Sequence, residues 1–107
     1  MTKIKFYRDD NGNFTGFECK GHAGYAESGE DIVCAAISIL TINFVNSVES
    51  LTSSFPETNE DENRGYLKVT IKDYDKDDVQ LLFKSLSLGL NAIREDYPKF
   101  FDLTYDN

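Results

Sequence analysis

The stretch IVCAAISILTINFVNSVESL, residues 32–51, decides how the chain folds. Val33, Ile37, Leu40, Phe44, Val48 and Leu51 recur at three- and four-residue steps, as one buried helix face requires. Ile32, Ala36, Ile39 and Ile42 make the first half apolar on neighbouring faces too. Such a helix is either central in a core or partly covered by a second subunit. Ser38, Thr41, Asn43 and Asn46 break the apolar run, which argues against a membrane span.

Upstream, KIKFYR (3–8) alternates with Ile4 and Phe6 on one face, and FTGFECK (14–20) alternates with Phe17 and Cys19 on one side. The turn DDNGN between them makes a β-hairpin. Gly21 to Glu30 reads as a loop rich in Gly, Ser and Glu. Downstream, the acidic connection PETNEDENRG has room for a short edge strand, and YLKVTIK (66–72) is a strand with Leu67, Val69 and Ile71 inward. Asp75 is a cap-like start for a second helix, with Asp78 three residues on. Its apolar stripe is Val79, Leu82, Phe83, Leu86, Leu90, Ile93 and Tyr97. Pro98 stops it before a closing strand with Phe101, Leu103 and Tyr105. The order ββα(β)βαβ predicts an α+β fold in two layers, one mostly antiparallel sheet with both helices packed on it. At 107 residues the chain has the size of a single domain, 1–107.

The formal net charge is −8, from 19 acidic and 11 basic residues, and the basic ones look scattered along the sequence. A phosphate backbone would be repelled, so direct nucleic-acid binding is disfavoured and a basic protein or peptide is the favoured partner. No apolar leader precedes the first strand, which points to the cytoplasm, where Cys19 and Cys34 are expected as free thiols.

His22, the only histidine, and Cys34 are separated by a loop that returns to a helix start. A thiol attacks a carbonyl only as thiolate, so it needs a base or a helix N-terminus nearby. With Asp31 as N-cap, Cys34 sits in the first turn among free N–H groups that also suit an oxyanion. With Ser28 as cap, Cys34 lies deeper. Glu30 and Asp31 are negative neighbours that oppose the thiolate, unless Asp31 orients a protonated His22. Simpler readings stand beside this one: a core cysteine, a surface histidine, a capping Asp31. Cys19, His22 and Cys34, with Asp31, also form a possible metal set, but without paired Cys-x-x-Cys knuckles.

At these residues the chain resembles the ribosomal-processing cysteine protease family of Firmicutes and related bacteria. The family pattern is Gly-His-Ala, a short loop, then Gly-x-Asp-Ile/Val-x-Cys-Ala with Ser four residues after the Cys. Here it reads Gly21-His22-Ala23, then Gly29-Glu30-Asp31-Ile32-Val33-Cys34-Ala35, then Ser38. The resemblance implies a Cys/His dyad with Cys34 as nucleophile and His22 as base. Asp31 and Ser38 are implied in supporting roles, and Ala23, Gly24 and Gly29 in a flexible loop over the peptide. It also implies a homodimer without a cofactor. Its expected substrate is the basic precursor of large-subunit ribosomal protein number twenty-seven, whose N-terminal extension is cut after a Phe. The rivals are a non-catalytic module that binds a ribosomal protein and a small metal-binding domain.

Overall fold

The computed structural model describes residues 1–21 and 28–106, the side chains of residues 28–30 excepted. The elements in order are β1 (Thr2–Arg8), β2 (Phe14–Lys20), α1 (Ser28–Leu51), β3 (Glu57–Asp61), a 3₁₀ turn (Glu62–Arg64), β4 (Tyr66–Thr70), α2 (Asp77–Asp96) and β5 (Phe101–Asp106). The five strands form one sheet in the order β3-β4-β2-β1-β5. Three of its pairings are antiparallel and β1–β5 is parallel. This is the expected α+β layering.

The hairpin forms because its turn satisfies its own backbone. Asp9 Oδ1 accepts from the N–H groups of Asn11 and Asn13, both at 2.9 Å. Gly12 takes the left-handed φ of 83° that such a turn needs. Alternation then places Ile4, Phe6, Phe17, Val69, Phe101 and Leu103 on the helix side of the sheet, all buried. Val33, Ile37, Phe44 and Val48 of α1, and Val79, Phe83, Leu86 and Leu90 of α2, close the core from above. Although α1 has the length and mean apolarity of a membrane span, this face lies against the sheet.

A polar residue helps to fasten the layers. Gln80 is buried on α2, where its Oε1 accepts from the Phe14 N–H at 2.9 Å. Its Nε2 donates to the carbonyls of Phe14 and Tyr74, both at 2.7 Å. The start of β2 is thereby tied to α2 with amide oxygen and nitrogen both satisfied.

Several expectations change. α1 begins at Ser28, so Ser28 to Glu30, Gly29 among them, are helical and not loop. Asp31 is inside the helix and therefore is not its cap. α2 begins at Asp77 with Lys76 at the cap position, so Asp75 does not cap it; Asp77 and Asp78 supply the acids of the first turn. Tyr97 is the C-cap and not part of the buried stripe. The lysines that look scattered also come together. Pairing of Lys3 with Lys20, and of Glu18 with both Lys5 and Lys68, puts all five on the open face of the sheet. Glu18 keeps that face mixed: it accepts from Tyr66 Oη at 2.8 Å, which holds its carboxyl below the usual range.

Candidate active site

One end of the sheet carries a groove of about 420 Å³. Thr2 at the start of β1 and Cys19 and Gly21 at the end of β2 form its base. Cys34, Ser38, Thr41 and Ile42 of α1 form one wall. Glu60, Glu62, Gly65, Tyr66 and Leu67, where β3 turns into β4, form the other. The ends of β2 and the turn before β4 are joined by the Gly21 N–H donating to the Gly65 carbonyl at 3.0 Å.

The α1 wall follows from helical spacing. Residues 34, 38 and 41 share a flank beside the core stripe of Val33, Ile37 and Phe44, so small polar groups border the groove while the apolar stripe faces the sheet. Thr41 is buried, its hydroxyl donating to the carbonyls of Ile37 at 3.0 Å and Ser38 at 3.2 Å.

Cys34 is half-buried, with Sγ 3.4 Å from Thr2 Oγ1. It is the seventh residue of α1, in the second turn. The frame that places it among the free first-turn N–H groups is therefore replaced by the deeper one. From the fifth residue onward an α-helix's N–H groups are engaged by preceding carbonyls. Cys34's own amide is thus no ready oxyanion donor, and the dipole is weaker here than in the first turn. Asp31 is exposed in that first turn, and Ser38 is exposed one turn beyond Cys34. His22, Ala23 and Gly24 lie outside the described residues.

The second thiol differs. Cys19 pairs with Ile4 and Leu67 on the helix side of the sheet. Burial, with a smaller contribution from Cys34, pushes its thiol up to about 11. At pH 7 only about one Cys19 in ten thousand is thiolate. Alkylation by iodoacetamide at pH 7 should therefore modify Cys34 at least about tenfold faster than Cys19. Cys19 should gain rate as pH rises toward 11. Peptide mass mapping after partial reaction reads both; equal rates at neutral pH would contradict this assignment. Among the described residues no group of three His, Cys, Asp or Glu is placed to hold a metal ion.

Sequence reasoning missed Thr2, Thr41, Ile42, Glu60, Glu62 and Tyr66 as groove residues. The i, i+4, i+7 set of Cys34, Ser38 and Thr41 was a usable signal for one wall. The acidic wall had none, because it depends on how β3 and β4 pair.

The model of the family described as cysteine protease Prp matches residues 1–102. The chain belongs to the Prp cysteine protease family. It is 35% identical over 105 residues to the ribosomal processing cysteine protease Prp of Staphylococcus aureus (strain NCTC 8325 / PS 47), covering 98% of this chain and 99% of that Prp. An essential ribosomal processing protease Prp from S. aureus, crystallised in complex with a substrate peptide, matches with a TM-score of 0.94 and 31% identity. The match covers 99% of this chain and 100% of that one. A second S. aureus Prp structure, with a covalently linked product peptide, matches with a TM-score of 0.89 and 33% identity over 99% and 100% of the two chains. The Prp fold in this chain thus extends over both helices and the five-stranded sheet, including the strands that build the groove.

Proposed function

We propose that residues 1–107 act as one cysteine endopeptidase domain that removes the N-terminal extension of large-subunit ribosomal protein number twenty-seven, cutting after Phe. The reading is carried by Cys34, whose thiol borders a peptide-sized groove in a chain of the Prp family. Cys34 loses its proton to His22, the residue after groove-lining Gly21, and its thiolate attacks the carbonyl carbon of the scissile bond. The resulting tetrahedral oxyanion collapses to an acyl-thioester as His22 returns the proton to the leaving amine. Water, deprotonated by His22, then hydrolyses the thioester, releases the N-terminal piece as its acid and restores the thiol. Asp31, in the first turn of α1 and three residues before Cys34, orients His22. Ser38 supports the groove wall, and Ala23 and Gly24 give the covering loop its freedom.

Glu60 and Glu62 on the far wall suit a basic substrate, as ribosomal proteins are, and the reaction belongs in the cytoplasm where ribosomes are assembled. Incubation with the organism's own extended precursor, read by mass spectrometry, tests the reading. One new amino terminus, directly after a Phe, is expected; an intact precursor would refute it.

The same reading includes a homodimer. Ile32, Ile39 and Ile42 of α1 are 58%, 69% and 57% exposed, an apolar ridge that a second copy would cover. Sedimentation at micromolar concentration should give twice the chain mass, and Ile39→Asp should shift it toward one.

A further inference from the structure

Thr2 is the least expected member of the groove. It opens β1, its N–H donates to the Phe100 carbonyl at 3.1 Å, and the residue is only 4% exposed. Its side chain projects to the helix side with Ile4 and Phe6, so the hydroxyl meets Cys34 Sγ at 3.4 Å from below. Gly21 keeps that meeting open. A Cβ on residue 21 would lie 2.6 Å from Thr2 Cα and 2.7 Å from Thr2 Oγ1, displacing the hydroxyl.

Either atom can be the donor while Cys34 is a thiol. Once the sulfur has lost its proton, only the threonine can donate, and the contact becomes charge-assisted. Apart from His22, which takes the proton, the charged groups among the described residues that line this groove do not favour the thiolate. Glu60 of β3 and Glu62 of the 3₁₀ turn are acids. Cys19 of β2 is a second thiol. A neutral donor fixed by the sheet offsets part of that unfavourable field.

We propose that Thr2 is a positioning residue for Cys34: it holds Sγ at the groove and donates a hydrogen bond to the thiolate formed before attack. The inference rests on Cys34 being the nucleophile, and its test is chosen to be independent of peptide cleavage. Iodoacetamide alkylation of Cys34 is followed by peptide mass mapping from pH 5 to pH 10 in the wild-type chain, Thr2→Val and Thr2→Ser. Valine keeps the shape and β-branching of threonine without the hydroxyl, so β1 and the core should survive; thermal unfolding checks this, and Thr2→Ala serves as a second hydroxyl-free variant. Both hydroxyl-free variants should move the alkylation midpoint up by about one pH unit and slow the reaction about tenfold at pH 7. Thr2→Ser should restore the wild-type profile. Superimposable profiles for wild type and Thr2→Val, or a Thr2→Ser profile equal to that of Thr2→Val, would overturn the proposal. A failure of the protease reading appears elsewhere, as an uncut precursor.

Discussion

Cys34→Ala should lower cleavage of the extended ribosomal-protein precursor by at least about 10⁴-fold, because no other group in the groove can replace the thiolate as nucleophile. His22→Ala should fall by a similar factor, since members of a proton-transfer pair act as a unit and their losses are not additive. Cys19→Ala is the informative control. Cys19 lines the same groove, yet its thiol stays protonated until pH approaches 11. Its replacement should leave kcat/KM within about threefold, the change being one of packing and not of chemistry. Initial rates for the three variants under one set of conditions give the comparison. Equal losses for Cys19→Ala and Cys34→Ala would make the groove, and not one thiol, the essential feature.

Phe83→Ala should destabilise the chain by about 3–5 kcal/mol, with a fall in unfolding midpoint of more than about 10 °C. Phe83 is fully buried, with ring centroids 4.7 Å from Phe44 of α1 and 5.7 Å from Phe14 of β2. Phe44 in turn meets Phe17 edge-on at 5.6 Å. Removing Phe83 opens a cavity where both helices and the hairpin converge, and no smaller neighbour can relax into it without breaking those contacts. Leu88→Ala, on the exposed face of the same helix, should change stability by less than about 0.5 kcal/mol. Comparable losses for the two variants would mean that the core is not centred on this aromatic cluster.

The fold was legible wherever periodicity alone specifies a face. The alternation of Ile4 with Phe6 and the stripe Val33–Ile37–Phe44–Val48 appear in the structure as read from the sequence. Leu51 keeps the period but is exposed, at the last residue of the helix. The start of α1 was ambiguous for a local reason: Ser28 and Gly29 favour turns and caps in isolation, yet a long helix packed on a sheet propagates through them. The parallel pairing of β5 with β1 was not readable, since Phe101 and Leu103 define an inward face without naming a neighbour. Gln80 was missed because a polar residue on a helix reads as solvent-facing until its partners, Phe14 and Tyr74, are known.

For the site, physical reasoning reached a feasible Cys34–His22 pair, and the family pattern singled it out. The structure adds what spacing could not: a groove with Cys34 on one wall, acids on the other, and a threonine from the start of β1 under the sulfur. Thr2 and Cys34 are 32 residues apart, and their contact exists only because β1 lies beneath the first half of α1.

The most direct test of Cys34 as nucleophile is to trap the acyl-enzyme. Wild-type protein is mixed with the extended precursor, quenched in acid within the first turnover, and digested for mass mapping. The peptide containing Cys34 should carry the mass of the released N-terminal extension less one water, and the peptide containing Cys19 should be unmodified. Efficient cleavage with the extension attached to Cys19, or a first turnover that passes without any adduct while Cys34→Ala still cuts, would contradict the account.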